Sequence, residues 1–271
     1  MSLMDKFLDV MRLNGDDDDD DYEFANEDYY DDDDYEEPKR KPARRESKVE
    51  VKEEPKSNRN RDEITLIAVS KTKPIDMLIT ASEAGICDFG ENKVQELCDK
   101  YEYFDSINKS SLRWHMIGHL QTNKVKYLIG KTALIHSVDS YKLACEIEKQ
   151  AAKQNCVMNI LIEVNIADEK TKFGLAEDEV IELVRQVAKL PHVRIKGLMT
   201  VAPYVVDSEE NRPFFRKIKQ LSVDIDNQNI DNVSMDILSM GMSGDYMVAI
   251  EEGATMVRVG TNIFGERNYN R

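Results

Sequence analysis

The residue best placed to do covalent chemistry is Lys71, at the end of a short apolar run. The run Thr65-Leu-Ile-Ala-Val-Ser-Lys-Thr-Lys73 is rich in β-branched residues and reaches lysine where its apolar character stops. Charge before it and Pro74 after it are typical of a buried parallel strand. A lysine partly out of water has a lowered amine pKa, and the neutral amine attacks carbonyls. Taken alone, the run favours the simpler alternative, an ammonium that extends into solvent.

Two glycine-containing segments near the end of the chain could hold an anion. Ser239-Met-Gly-Met-Ser243 and Val259-Gly-Thr-Asn262 each combine glycine with a hydroxyl residue. Glycine lets the backbone approach an anion closely, and N–H groups and hydroxyls donate hydrogen bonds to it. In isolation such segments are ordinary turns. Both segments follow the last two of the eight strands predicted below. In an eight-stranded parallel barrel, the loops after these two strands often bind phosphate.

Arg258 lies inside the apolar run Met-Val-Arg-Val, just before the second of these segments. A buried guanidinium is almost never unpaired, so it bonds either a neighbouring carboxylate or an acceptor on a bound ring. A reactive lysine, an anion cradle and an arginine between them together suggest pyridoxal 5′-phosphate. The lysine would form an imine with the aldehyde, the two loops would hold the phosphate, and the arginine would face the pyridine nitrogen.

From Thr65 onward, short apolar runs alternate with amphipathic segments at the spacing of repeated βα units. Eight strands are predicted: 65–70, Ile86–Phe89, Arg113–Ile117, Ala133–Ser137, Asn159–Asn165, Arg194–Met199, Asp236–Met240 and Met256–Gly260. Seven helices fill the gaps, at about 75–84, 92–104, 121–129, 140–154, 176–189, 208–227 and 245–252.

Eight strands with seven intervening helices in about 200 residues predict a (β/α)₈ barrel, the TIM-barrel fold. The alternative is a doubly wound open sheet, which usually has fewer strands. Function in such a barrel is expected at the carboxyl ends of the strands.

The first 61 residues differ in character from the rest. Residues 1–13 place an apolar stripe on one face of a predicted amphipathic helix, which either lies in a membrane surface or docks on the globular domain. Residues 16–37 hold 15 Asp and Glu without Lys or Arg, and residues 38–61 hold ten Lys and Arg with three prolines. Residues 14–61 are therefore predicted to be a disordered linker, acidic then basic, before a barrel over residues 62–271.

Composition excludes several functions. The net charge of −15 argues against a nucleic-acid partner, although residues 1–60 contribute most of it, with 11 Lys and Arg against 21 Asp and Glu. No signal peptide and no apolar run of membrane-spanning length is present. Four widely spaced cysteines without a CxxC pair indicate reduced, mostly buried thiols. A cytoplasmic location is predicted.

Two other candidates are weaker. His115 and His119 are four residues apart, but they straddle a predicted strand end and no nearby carboxylate or cysteine completes a metal site. No metal is therefore expected. Lys73 competes with Lys71 for an aldehyde, but we expect it to lie in solvent, where its amine stays protonated.

The motifs along the barrel closely resemble the pyridoxal-phosphate homeostasis proteins, which share the barrel of the alanine racemase amino-terminal domain. The resemblance covers about residues 62–270, with motifs in order at most predicted strand ends. The matching segments are Ala68-Val-Ser-Lys-Thr-Lys73, Phe89-Gly-Glu-Asn-Lys93, Trp114-His-Met-Ile-Gly-His-Leu-Gln-Thr-Asn-Lys124, His136-Ser-Val-Asp139, Lys172-Phe-Gly174, Gly197-Leu-Met199, Leu238-Ser-Met-Gly-Met-Ser243 and Met256-Val-Arg-Val-Gly-Thr261.

This resemblance implies a carrier or buffer of pyridoxal phosphate without established turnover, with apo-enzymes that use the cofactor as candidate partners. It implies a covalent link at Lys71, phosphate contacts from Ser243, Gly260 and Thr261, Arg258 at the pyridine nitrogen, and Asn92 in the pocket wall. An arginine cannot protonate that nitrogen, which leaves the ring a poor electron sink. The alternative, an amino-acid racemase, needs acid–base groups on both faces of the substrate. The racemases take one from a tyrosine of a separate β-domain, for which no chain remains after Arg271.

Two departures from the family are visible. The family normally has a helix of about 25 residues before the first strand, and that helix is missing here. In its place, Met-Ser-Leu-Met-Asp-Lys-Phe-Leu-Asp-Val-Met-Arg-Leu13 and the charged linker resemble the leader of the bacterial division protein SepF, without its polymerising core. That resemblance implies membrane attachment, and a membrane-attached accessory of cell division is the third candidate function.

Overall fold

The structure, a computed structural model, describes residues 59–109, 111–169 and 173–265, and in these ranges the strands close into one parallel barrel. The first strand, Thr65–Val69 (β1), pairs with the last, Met256–Val259 (β8), so that Thr65 lies opposite Met256. This confirms the predicted (β/α)₈ barrel over the open-sheet alternative. The strands between them are Asp88–Glu91 (β2), Arg113–Met116 (β3), Leu134–Val138 (β4), Met158–Glu163 (β5), Val193–Met199 (β6) and Val233–Ser239 (β7).

Helices follow the strands and cover the outside of the barrel. The amphipathic periodicity of the sequence places their buried residues on one face each, against the strands. The α-helices are Ile75–Glu83 (α1), Val94–Ser106 (α2), Tyr141–Lys153 (α3), Glu177–Val187 (α4), Arg212–Asp226 (α5), Tyr246–Glu251 (α6) and Thr261–Phe264 (α7), with 3₁₀ turns at Arg61–Glu63, Thr122–Tyr127 and Ser208–Asn211.

Several elements differ from the prediction, among them β7, which begins at Val233 and not at Asp236, and the predicted helix 208–227, which opens with a 3₁₀ turn. The second strand lies two residues later than Ile86–Phe89, because Gly90 and Glu91 continue the pairing although neither is a strand former. The segment predicted as helix 121–129 is a 3₁₀ turn, with Leu128 N–H donating to the carbonyl of Val125. The one-turn helix α7, directly after β8, was not predicted.

The barrel has a separate interior cluster. Its fully buried members are Leu134, Leu161 and Met199, with the half-buried Ile237 and Met256 packed against them. Successive strand residues alternate faces, so the residues two further along a strand also point inward. On β4, β5, β7 and β8 these are His136, Glu163, Ser239 and Arg258. The interior therefore changes from apolar to polar toward the carboxyl ends of the strands.

The predicted leader helix over 1–13 lies outside the described residues, as does the predicted linker up to residue 58. At the described start, Arg59 donates hydrogen bonds to the carbonyls of Ala254 and Ile250. No helix in the described part of the chain is long and apolar enough to cross a membrane. The cysteines are free thiols, but the expectation that most are buried is wrong. Only Cys98 is buried, Cys145 and Cys156 are half-buried, and Cys87 is exposed.

Candidate functional site

Lys71 lies at the mouth of the barrel, two residues beyond the end of β1. On β1, Ala68 packs against the helices outside the barrel. Its neighbour Ile67 points into the barrel, where it would meet a Cβ added at Gly90 of β2. Ser70 points outward again, toward α2, where its hydroxyl donates to Glu91 Oε1 over 2.5 Å. The alternation thus directs the half-buried Lys71 to the mouth, where sequence reasoning expected a reactive amine.

The two predicted anion-binding loops are in direct contact. The backbone N–H of Gly260 donates to Ser243 Oγ over 3.3 Å. Thr261 follows at once as the first residue of α7. A Cβ on Gly260 would lie 3.4 Å from the Val69 carbonyl oxygen, which is van der Waals contact, so this loop passes directly beside β1. The structure therefore brings Ser243, Gly260 and Thr261 together beside the strand that carries Lys71.

The conformation of the loop after β7 is fixed by a glycine within it and by a buried carboxylate that binds its backbone. Gly241 has a φ of +89°, and a Cβ there would lie 2.6 Å from Ala249 Cβ, so both backbone and packing require glycine. The buried Asp245 carboxylate accepts hydrogen bonds from Met242 N–H (2.7 Å) and from Asn211 Nδ2 (2.8 Å). Burial raises the pKa of Asp245, against the effect of these hydrogen bonds.

Arg258 is buried in the polar layer and its guanidinium is fixed by two acceptors. Its Nη1 donates to Ser239 Oγ over 2.6 Å, and its Nη2 donates to the Thr200 carbonyl over 2.8 Å. Both of these acceptors are neutral, and the charge of Arg258 also acts on two buried carboxyls, since it lowers the pKa of Glu163 and of Asp245 against the effect of burial. A ring acceptor facing Arg258 stays a prediction.

A chain of hydrogen bonds runs from Arg258 on β8 across the interior to β4 and from there back round to β2, and we call it the inner network. Ser239 Oγ lies 3.0 Å from His136 Nδ1, His136 Nε2 lies 3.0 Å from His115 Nδ1, and His115 Nε2 lies 2.9 Å from Asp88 Oδ1. Its members are Arg258, Ser239, His136, His115 and Asp88, with Arg113 forming two hydrogen bonds to the Asp88 carboxylate.

The charges at its two ends constrain the hydrogen bonds of the inner network. Burial, and then the nearby His115 and Arg258, lower the pKa of His136 well below its usual value, so the ring is neutral. Burial acts to raise the pKa of Asp88, but hydrogen bonds from His115 and Arg113 outweigh it and the pKa is lowered. With Asp88 ionised, His115 donates to it through Nε2, and the neutral His136 ring donates through one nitrogen and accepts through the other.

Sequence reasoning missed this network because it compared His115 with His119 rather than with His136. His119 is instead stacked on Phe173, with ring centroids 4.0 Å apart, and its Nδ1 lies 3.8 Å from Asp139 Oδ2. Among the described residues no group of three or more His, Cys, Asp or Glu side chains is placed to hold a metal ion. The available signal for His136 was its place two residues after Leu134 in a predicted strand.

Glu163 is a second residue that sequence reasoning missed. Its carboxyl group is buried at the end of β5, the strand opposite β1 in the closed barrel. Its Oε2 has no hydrogen-bond partner within the described ranges. Burial, reinforced by the charge of Asp139, raises its pKa to about 8. A buried carboxyl oxygen without a protein partner is unusual, which makes Glu163 a candidate contact for a polar ligand in the mouth.

The two remaining residues considered in the sequence, Asn92 and Lys73, lie near the mouth of the barrel. Asn92 is half-buried at the end of β2, where the backbone of Gly118 approaches so closely that an added Cβ would lie 2.6 Å from the Asn92 carbonyl oxygen. The expectation that Lys73 lies in solvent is wrong, because its Nζ donates to the carbonyls of Gly265 (2.6 Å) and Phe264 (3.3 Å). Lys73 thereby ties the turn after β1 to the end of α7.

This fold and site define a barrel of the alanine racemase type. Residues 57–268 match the family described as alanine racemase, N-terminal domain. Alanine racemase of Clostridium difficile 630, solved in complex with cycloserine, superposes with a TM-score of 0.64 at 15% identity, covering 78% of this chain and 57% of that one. A likeness at this identity shows the shared fold alone.

Relatives of higher sequence identity identify the family within this class of barrels. The chain is 48% identical over 204 residues to the pyridoxal phosphate homeostasis protein of Aquifex aeolicus (strain VF5), covering 75% of this chain and 87% of that protein. It is 41% identical over 214 residues to the protein of the same name from Escherichia coli (strain K12), covering 79% and 90%. The chain belongs to the family of pyridoxal phosphate homeostasis proteins.

A solved structure of similar sequence supports this assignment. PipY of Synechococcus elongatus PCC7942, in a structure with PLP bound, superposes with a TM-score of 0.70 at 33% sequence identity. The match covers 75% of this chain and 93% of that chain. The similarity therefore spans nearly the whole of the solved protein.

Proposed function

We propose that this chain binds pyridoxal 5′-phosphate in the mouth of its barrel and acts as a non-catalytic carrier or buffer in intracellular pyridoxal-phosphate homeostasis. The observation that carries the proposal is the convergence of three different chemical groups at one end of the barrel. They are the Lys71 amine after β1, the buried Arg258 guanidinium on β8, and the contact between Ser243 and Gly260 that joins the two glycine loops. Family membership supports the same function.

The residues present fit each part of that cofactor. Ser243 supplies a hydroxyl and Gly260 and Thr261 supply backbone donors to a phosphate at the start of the last helix. Arg258 offers N–H donors to the ring nitrogen, and Asn92 lines the wall. Glu163 offers a buried carboxyl that lacks a protein partner on Oε2. When bound, the cofactor supplies an aldehyde carbon, which an amine such as that of Lys71 attacks.

The inner network supports a holding role rather than turnover. Its hydrogen bonds keep Arg258 in one orientation, and the guanidinium donates a hydrogen bond without releasing its proton because its own pKa is above ~12. Arg258 would therefore hold a ring nitrogen by a hydrogen bond without protonating it, and a bound cofactor held in this way would be a weak electron sink. Exchange of the cofactor with apo-enzymes is the corresponding proposal for partners. Contact with a membrane through residues 1–13 remains a prediction.

Two measurements test this function. The purified protein, incubated with pyridoxal phosphate, is expected to show a visible absorption band that Lys71→Ala lacks. The loaded protein is expected not to catalyse exchange of the α-hydrogen of alanine with solvent deuterium. Sustained exchange would favour the racemase alternative, and a colourless protein in excess cofactor would contradict cofactor binding. Flotation with liposomes, comparing the full chain with one that starts at residue 62, tests the predicted membrane contact.

A further inference from the structure

A second buried polar cluster lies outside the barrel, beneath α2, and surrounds the turn that carries Lys71. Its centre is Lys100, whose residue is only 5% exposed. Lys100 Nζ donates to Glu91 Oε1 over 2.7 Å, to Glu96 Oε1 over 2.6 Å and to the Ser70 carbonyl over 2.6 Å. We call Lys100, Glu91, Glu96, Ser70 and Thr72 the outer network.

The outer network forms hydrogen bonds to the residues on both sides of Lys71. Ahead of it, Ser70 is held twice, since its carbonyl accepts from Lys100 and its hydroxyl donates to Glu91. Behind it, the backbone N–H of Thr72 donates to Glu96 Oε1 over 2.6 Å. The same Glu96 oxygen also accepts from Lys100. One lysine thus joins both flanks of the turn.

The turn needs such support because Thr72 has a φ of +62°. A β-branched residue is rarely found in this left-handed region, and a strained backbone persists only when its surroundings hold it. Thr72 is exposed, so side-chain packing does not supply that restraint. The hydrogen bond from its N–H to Glu96 does, and Glu96 is in turn fixed by Lys100.

Packing alone does not explain a charged cluster at this place. Glu91 is fully buried and its Oε2 has no hydrogen-bond partner among the described residues. Burying paired charges is often no more stabilising than burying apolar residues of similar size. The cluster does, however, supply what an apolar side chain cannot, namely donors and acceptors that specify one backbone path around Lys71.

We propose that Lys100, acting through Glu91 and Glu96, is a positioning residue that aims the amine of Lys71 into the barrel mouth. The proposal rests on the proposed function, in which Lys71 is the covalent anchor. It separates two parts of cofactor binding. The phosphate and the ring contact loops on β7 and β8 that the outer network does not touch, whereas covalent capture depends on where the Lys71 amine points.

The test uses Lys100→Met, which keeps a long side chain and removes the donors, and Glu96→Ala, which removes the acceptor for Thr72. Lys131→Met is the matched control, because Lys131 pairs with Glu102 on the same helix α2 but away from the turn. Two readouts are measured on the full chain. One is the dissociation constant of pyridoxine 5′-phosphate, which carries an alcohol in place of the aldehyde. The other is the rate at which pyridoxal phosphate becomes fixable on Lys71 by borohydride.

We expect Lys100→Met and Glu96→Ala to slow fixation at Lys71 at least tenfold while changing the dissociation constant of pyridoxine 5′-phosphate less than twofold, with Lys131→Met unchanged in both. An unaltered fixation rate would overturn the proposal. So would an equal loss in both readouts, which indicates a role in the fold alone. If Lys100→Met does not fold, Glu96→Ala decides by the same criteria. Failure of the proposed function is distinguishable, because Lys71→Ala would then retain full fixation or the wild type would show none.

Discussion

The inner network ends at Arg258 and the outer network flanks Lys71, two residues of the proposed cofactor site, but the two networks are built from different chemistry. The inner network holds Arg258 through a hydroxyl and two imidazoles that are joined by hydrogen bonds. The outer network holds the turn around Lys71 through full charges, and one carboxylate oxygen in it has no partner among the described residues. The first should be sensitive to the loss of a hydrogen bond, and the second to the loss of a charge.

The largest effect is expected for Lys100→Met in the outer network. It leaves Glu91 buried without its cation, and breaking a buried ion pair in this way costs about 3–5 kcal/mol. Adding Glu91→Gln removes the stranded charge and should restore part of the free energy of unfolding. Urea denaturation at pH 8 measures both. A loss below about 1 kcal/mol in the single variant would show that the cluster is not charge-dependent.

A smaller loss is expected for His136→Leu in the inner network. The leucine fills the space but leaves His115 Nδ1 without its partner, while the Ser239 hydroxyl keeps its hydrogen bond from Arg258, and an unsatisfied buried group costs about 1–3 kcal/mol. The matched control is His192→Leu, whose imidazole bonds Glu148 in a half-buried position outside the barrel. Urea denaturation at pH 7 compares the two. Equal losses in the free energy of unfolding would mean that burial of His136 inside the barrel does not increase its contribution to stability.

The two networks are also expected to respond to pH in opposite directions. Burial raises the folded-state pKa of Glu91 from 4.5 to about 7, so the unfolded chain releases this proton first and stability falls as pH rises from 4.5 to 7. The lowered pKa of His136 acts the other way, because the unfolded chain takes up a proton below pH 6.5 and stability falls with decreasing pH.

Glu91→Gln isolates the first of these effects. Between pH 5.5 and 7 the unfolding free energy of the wild type should fall relative to that of Glu91→Gln, by up to about 1.4 kcal/mol per pH unit, the limit for one proton. Urea denaturation at four pH values in this range measures the difference. Parallel curves for the two proteins would contradict the assigned titration.

The smallest effect is expected for Lys131→Met, which breaks the partly exposed pair between Lys131 and Glu102. Such pairs contribute about 0–1 kcal/mol, so the free energy of unfolding should hardly change. Urea denaturation beside Lys100→Met gives the comparison. A loss as large as that of Lys100→Met would show that burial does not distinguish the two lysines.

The sequence was sufficient to predict the barrel, because its strands are short apolar runs separated by amphipathic segments. It misplaced β2, since Glu91 is buried there by an ion pair with Lys100 and not by apolar character. It also assigned α-helix to 121–129, where the chain makes a tighter turn. In both places tertiary contacts override the local pattern.

The site was predictable where chemistry lies at strand ends, and not where it depends on long-range pairing. Lys71 and the Ser243–Gly260 contact lie in loops after strands and Arg258 lies in a strand, and such a barrel gathers the carboxyl ends of its strands on one side. The inner network joins His136 to Ser239, which are 103 positions apart, and only the register of the closed barrel brings them together. Lys100 and Glu163 would likewise be predicted from the sequence to be exposed charged residues, because nothing in their local pattern indicates that they are buried.

The most direct test of this account is to identify the lysine that holds the cofactor. The protein is loaded with pyridoxal phosphate, reduced with borohydride and digested, and the modified peptide is located by mass spectrometry, with Lys71→Ala treated in parallel. The account predicts one phosphopyridoxyl group on Lys71 and none on the variant. Modification of Lys73 or another lysine at full stoichiometry, or full modification of Lys71→Ala, would contradict it.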